Sequence, residues 1–170
     1  MLQALILRNE TVEDIEPIFK LTQSAFEHAE HSSHTEQFIV NALRNARKLT
    51  ISLVAELNHE IIGHVAISPV EISSGTQGWY GLGPISVAPE YQQRGVGTAL
   101  MKQVIQQLQQ LDAAGCVLLG DPHYYAKFGF KPHENLTLAN VPAEYFQVLA
   151  FKQPVPQGEV KYHAAFEATE

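Results

Sequence analysis

The sequence predicts an α+β fold: a central mixed, mostly antiparallel sheet with helices on both faces and a parallel strand pair near its middle. Three observations predict it. Two β-branched runs, "LTISLVAE" and "IIGHVAISPVEI", are separated only by the polar break "LNHE", as expected of an antiparallel hairpin. From Trp79 to Gly120 the chain reads strand, glycine-containing loop, amphipathic helix, strand, a right-handed βαβ crossover that makes its two strands parallel. Beyond it, "LTLANVPAEYFQVLAF" and "GEVKYHAAF" read as two further strands, expected to be antiparallel.

Taken in order, "ALILRNET" is the first strand. Thr11, with Glu13 and Asp14 behind it, opens a helix through Phe26, in which Ile15, Ile18, Phe19 and Leu21 recur at helical spacing. A second helix, about Thr35 to Asn45, carries Phe38, Ile39 and Leu43. After the hairpin, "WYGLGPISVAP" is a strand, followed by the loop Gln92 to Gly97 and a helix from Thr98 to about Asp112. Leu100, Val104, Leu108 and Leu111 form its apolar stripe, with Met101 and Ile105 beside it and glutamines on the wet face. Gly115 is read as the helix stop. "CVLLG" is apolar wherever it has a side chain, as suits a strand covered on both faces. "DPHYYAKFGF" is a short helix ending at Gly129.

At 170 residues, with no repeat, low-complexity run or linker, the chain is expected to be one domain, 1–170. Hydrophobic residues at 45% and charged residues at 17% fit a globular protein without a membrane segment. The stretch "MLQALILRNETVED" turns acidic too quickly for a secretory signal, so a cytoplasmic location is expected. The single cysteine, Cys116, excludes an intramolecular disulfide and a cysteine-based zinc cluster, and in "CVLLG" it reads as an inert core residue. A net charge of −7 argues against non-specific nucleic-acid binding and favours a cationic substrate. Arg94, Lys102 and Lys127 are basic exceptions near the stretches that matter most.

The loop Gln92 to Gly97 asks for an anion. Glycines just before a helix let backbone approach a ligand, and the first helical amides have no partners within the helix. The chain has no G-x-x-x-x-G-K-[ST] string, and Gly95-Val96-Gly97 lacks the third glycine of a dinucleotide fingerprint. What stands there is Q-x-x-G-x-G, preceded by "ISVAPEY" and followed some thirty residues later by "YYAKFGF". This resembles the Gcn5-related N-acetyltransferase (GNAT) superfamily over about Leu5 to Phe151, with "LGDPHYYAKFGF" and "VPAEYFQVLAF" similar to its YhbS-like branch.

The resemblance implies the GNAT acyl-CoA N-acyltransferase fold with a splayed parallel pair, and an enzyme that transfers acetyl from acetyl-CoA to a primary amine of a small molecule or peptide by direct attack. The backbone of Ile85, Ser86 and Val87 is implied to pair with the pantetheine arm, beyond a bulge at Gly81, Gly83 and Pro84. Gln92, Gln93, Arg94, Gly95, Val96, Gly97 and Thr98 are implied to wrap the pyrophosphate. Tyr125 falls where the family places the acid for the leaving thiolate, with Tyr124 as its neighbour and rival. A general base stays open among Glu56, His64, Ser86 acting through water, Asp121 and His123. Asp121 also reads as a helix cap and His64 as a core histidine. His28, His31 and His34 in "EHAEHSSHTE" are zinc-type ligands, but their even spacing of three carries them around a helix, so no metal is expected. An acidic loop over the acceptor and a plain solvated loop both remain as readings. The reading from another class is a non-catalytic acyl-CoA-binding or regulatory domain, and a homodimer stays open.

Overall fold

The computed structural model describes residues 4–30 and 32–170. In chain order its elements are β1 (Ile6–Asn9), α1 (Ile15–Phe26), α2 (Glu36–Asn45), β2 (Ile51–Leu57), β3 (Glu60–Pro69), β4 (Glu71–Ile72), β5 (Trp79–Val87), α3 (Val96–Gln110), β6 (Gly115–Leu119), α4 (Pro122–Tyr125), β7 (Leu136–Thr137), β8 (Phe146–Ala150) and β9 (Gly158–Lys161). They fall into two compact units. One comprises the described residues up to Ile67, then Gly83–Ile105 and Ala164–Glu170; the other comprises Ser68–Leu82 and Gln106–His163.

In the first unit β1, β2 and β3 form an antiparallel ladder. Asn58 and His59, the two residues between the paired Leu57 and Glu60, both have positive φ (50° and 67°), as a tight hairpin turn with the right-handed strand twist demands. Successive residues of a strand face opposite ways. Val54 of β2 packs with Ile18 of α1 and Val40 of α2. Its neighbour Ala55 pairs with Gly63, where an added Cβ would meet Val96 at 2.9 Å and Leu100 at 3.0 Å, so α3 lies on the other face. Helices therefore cover both faces, as expected. The helix expected from Thr11 instead begins with one 3₁₀ turn, Val12–Asp14, because the Asp14 carboxylate accepts from the Thr11 amide (2.7 Å) and holds that turn closed before α1.

In the second unit β5 runs parallel to β6 through Trp79, Tyr80 and Gly81 against Gly115, Cys116 and Val117. That register ends at Gly81 although β6 continues to Leu119, and Gly83 follows at φ +145°, a backbone state that a side chain disfavours. The parallel pair is thus splayed where the glycines predicted it. β6 also pairs antiparallel with β8, which makes the sheet mixed. Trp79, Val117, Phe146, Val148 and Val160 fill its core.

Three local expectations need correction. The late strands do not pair with each other: β8 pairs with β6, while β9 joins a small sheet, antiparallel to β4 and parallel to β7. Pro142, which has no amide to give, and the turn before it break "LTLANVPAEYFQVLAF" into β7 and β8. Next, α3 starts at Val96, two residues before the expected Thr98. Its stop is not Gly115. Asp112 takes the left-handed conformation (φ 62°), and the Ala113 amide reaches back to the Leu108 carbonyl (3.1 Å), closing the end before Gly115 is reached. Leu111 is carried out of the stripe and is half exposed, whereas Leu100, Met101, Val104 and Leu108 are fully buried. Gly115 is a glycine for a different reason: a Cβ there would overlap the Trp79 ring.

Candidate active site

The passage from β5 into α3, within the first unit from Gly83 onward, carries the segment expected to receive an anion. Burial alternates along β5, with Ser86 buried and Ile85 and Val87 only partly covered. Past a 3₁₀ turn at Pro89–Tyr91, the chain reverses through Gln92 to Gly95, with Gln93 (φ 62°) and Gly95 (φ 88°) left-handed. The Ala99 amide bonds the Gly95 carbonyl at 3.0 Å as the helix begins. The amides of Val96, Gly97 and Thr98 lie ahead of that rung and open out of the N-terminus, where the helix dipole adds positive potential. No acidic residue of the first turn opposes it. Gln92, Gln93 and Arg94 are exposed, and the Arg94 guanidinium stands 5.8 Å from the Tyr91 ring centre. One contact here was not foreseen: Gln92 Nε2 donates to the Val87 carbonyl (3.1 Å), and no local pattern says which carbonyl an exposed glutamine will meet. All the residues expected to hold the cofactor therefore form one continuous segment, from strand end to first helical turn.

Tyr125 lies in the second unit, at the end of α4. Asp121 caps that helix, accepting from the His123 amide at 2.9 Å, with Pro122 at its first position. Gly129, left-handed at φ 94°, ends the following 3₁₀ turn, as expected. The Tyr125 ring packs edge-on to Tyr124 (4.8 Å between centres) and near Phe130 (6.3 Å). Burial, with the neighbouring Tyr124 and Asp121 adding to it, pushes its hydroxyl up to about 12, so it keeps its proton across the physiological range. Tyr124 instead carries the Lys127 ammonium over its ring at 4.2 Å, which ties Lys127 to a local cation–π contact.

Most of the base candidates are engaged elsewhere. Glu56 accepts from Arg8 (2.8 Å), and Arg8 is also bound to Asp14 (2.6 Å); hydrogen bonding to that guanidinium holds the Asp14 carboxyl down at about 2. His64 is wholly buried. Ser52 gives its single proton to Glu10, so its oxygen accepts from His64 Nε2 at 2.8 Å, and His64 Nδ1 has no partner among the described residues. Burial is the main reason the imidazole titrates only at about 4. Arg44 completes this chain of contacts by its ion pair with Glu10 (2.8 Å). Sequence order gives no hint of it, since Glu10 and Arg44 sit on different elements. The Ser86 hydroxyl is buried with no hydrogen-bond partner among the described residues, and His123 is exposed. In the first interhelical loop His34 bonds the Phe26 carbonyl through Nδ1 (3.0 Å), His28 is exposed, and His31 lies outside the described residues. Among the described residues no group of three His, Cys, Asp or Glu is placed to hold a metal ion. Cys116 is fully buried in β6, and that burial raises its thiol well above the ordinary range. An open groove of about 610 Å³ in the first unit is lined by Glu13, Glu16, Glu60 and Glu90, beside the Arg8 ion pairs.

An antiparallel ladder and a glycine loop opening α3 in one unit, and a parallel β5–β6 pair whose register stops at Gly81 in the other, are the parts of an acyltransferase-type architecture. The chain belongs to the acetyltransferase (GNAT) family, whose model matches residues 15–130. Its similarity lies with the YhbS-like branch. It is 33% identical over 128 residues, 75% of this chain and 74% of the relative, to the uncharacterized N-acetyltransferase YhbS of Escherichia coli K12. The crystal structure of Escherichia coli YhbS in complex with CoA superposes with a TM-score of 0.88 at 30% identity, covering 98% of this chain and 93% of that one. A GNAT family acetyltransferase from Brucella melitensis in complex with acetyl-CoA gives 0.87 at 45% identity, covering 97% and 99%. No described helix is long and apolar enough to cross a membrane.

Proposed function

We propose that the protein is a cytoplasmic N-acetyltransferase, a single domain over residues 1–170, that moves the acetyl group of acetyl-CoA to a primary amine of a small molecule or peptide by direct attack. The observation that carries this reading is the open N-terminus of α3, with its unpaired amides and left-handed Gly95. Acetyl-CoA supplies the activated acyl group. The backbone of Ile85, Ser86 and Val87 pairs with its pantetheine arm, and the amides from Gln92 to Thr98 hold the pyrophosphate, helped by Arg94. The neutral amine nitrogen attacks the thioester carbonyl carbon and forms the C–N bond; as the tetrahedral adduct collapses and the C–S bond breaks, Tyr125 gives its proton to the departing thiolate, and the proton shed by the amine nitrogen restores the tyrosine. That the two similar crystal structures hold acetyl-CoA and CoA supports the choice of cofactor. The net charge of −7 and the acidic groove support a cationic acceptor.

Calorimetric titration with acetyl-CoA, wild type against Gly97→Glu, tests the cofactor site. The wild type should bind, and the variant, whose carboxylate fills and repels the phosphate position, should lose at least about tenfold in affinity. A folded wild type that does not bind acetyl-CoA sinks the reading. The engagement of Glu56, His64 and Asp121 in other contacts favours one alternative, a non-catalytic acyl-CoA-binding domain. A Tyr125→Phe variant separates the two: an enzyme keeps its acetyl-CoA affinity and loses about 100-fold in turnover with an amine found by screening, whereas the binding domain has no turnover to lose.

A further inference from the structure

We infer that Gln147, on β8, is a positioning residue that holds Tyr125 in place through Gly120. The inference rests on Tyr125 being the proton donor proposed above, and every contact it uses lies within the second unit.

Only Gly120 and Asp121 separate the end of β6 from the start of α4. Both backbone groups of Gly120 are fastened to the β8 segment: its amide donates to the Tyr145 carbonyl (3.0 Å), and its carbonyl accepts from Gln147 Nε2 (2.9 Å). From there the chain is fixed as far as Tyr125, whose amide bonds the Asp121 carbonyl at 3.1 Å. The Tyr125 ring lies directly on Gly120, so close that a Cβ at that position would overlap ring atom Cε2. Gly120 is therefore the floor on which the ring rests, and Gln147 fixes the height of that floor. The Tyr125 hydroxyl makes no hydrogen bond to any described residue, so packing alone sets where its proton is delivered.

The choice of residue supports this role. Gln147 is 0% exposed and sits opposite Leu118, a position that suits an apolar side chain. Instead an amide is buried with its Oε1 unpartnered, an arrangement that costs stability and leaves one hydrogen bond in return. That bond goes to the carbonyl of Gly120, the first of the two residues that join β6 to α4. General acid catalysis depends steeply on the placement of the donor, so a small shift of the ring is expected to slow turnover with little effect on cofactor binding.

The test uses the full chain, acetyl-CoA and hydroxylamine as a small amine probe, and follows CoA release for Gln147→Met, Gly120→Ala, Tyr125→Phe and Gln147→Met/Tyr125→Phe. Gly120→Ala keeps both backbone bonds and moves only the ring; should Gln147→Met fold poorly, a fully active Gly120→Ala overturns the inference, because the seat through which Gln147 acts would then not matter. We expect Gln147→Met and Gly120→Ala each to lower kcat about tenfold or more, with KM for acetyl-CoA within about twofold. In the Tyr125→Phe background Gln147→Met should add nothing, because the two act as one unit. Multiplicative losses, or a fully active Gln147→Met beside a crippled Tyr125→Phe, would overturn the inference. A fully active Tyr125→Phe would instead remove the proton-donor assignment itself. Labelling tyrosine at Cζ gives a readout independent of turnover: the Tyr125 resonance should shift or broaden in Gln147→Met while Tyr80 and Tyr91, which touch neither Gly120 nor the Tyr125 ring, stay put, and an unmoved Tyr125 resonance overturns the inference.

Discussion

With its ring sealed inside the first unit, His64 makes the fold sensitive to mild acid. Among the described residues its ring bonds only through Nε2, so a second proton would have to sit on Nδ1, where no described group accepts it. The folded-state value near 4 lies below the unfolded value of about 6.5. Between those two values the unfolded chain binds the extra proton and the folded chain does not. Stability is therefore full above pH 6.5 and falls as pH drops toward 4, by about 3 kcal/mol in all. Asp14, held at about 2 by Arg8, acts in a lower window, losing its contribution only as pH falls from about 4 toward 2. Urea midpoints measured from pH 7 to pH 4 should decline in the wild type, and His64→Leu should flatten that decline. An unchanged slope would place the titrating group elsewhere.

The loop proposed to hold the cofactor is only as well placed as the helix that follows it, and α3 is seated by a missing side chain. At Gly63 a Cβ would press on Val96 and Leu100, the first buried residues of α3. Gly63→Val should push the helix off β3, costing about 1–3 kcal/mol by overpacking and weakening acetyl-CoA binding along with it. Urea unfolding and calorimetry on the same variant read both losses; stability lost with affinity intact would mean that the loop does not depend on the seat. Gly115→Ala in β6 should cost a similar amount, and Trp79→Leu should recover part of it by removing the ring that clashes. These seats also show what a sequence can carry. The hairpin, the βαβ unit and the splay were legible because periodicity, turn residues and strand glycines act locally. Gly115 was misread as a helix stop because its constraint comes from Trp79, far back along the chain. The partners of the late strands were illegible for the same reason: a short strand states its own two faces but not its neighbour. At the site, the loop and Tyr125 stand out by motif, whereas Gln147 and the Arg44–Glu10–Ser52–His64 chain act across sequence and leave no local trace.

The whole molecule is acidic, with a net charge of −7. If the acceptor is cationic, its association should be steered by that field, so kcat/KM should fall with added salt, whereas a neutral isostere should respond little. Equal salt dependence for both would exclude steering. The chain passes repeatedly from one compact unit to the other, and β5 and α3 each run through the point of passage. We expect Trp79 fluorescence and far-ultraviolet circular dichroism to report one coincident unfolding transition; two separate midpoints would break the proposed single domain. The buried Cys116 has a further practical meaning. With its only sulfhydryl shut inside β6, the native protein is silent toward thiol-reactive dyes, so any colour that develops during turnover comes from the coenzyme product. The first protein-derived signal marks the moment the fold opens, so one dye serves as both activity meter and alarm for unfolding.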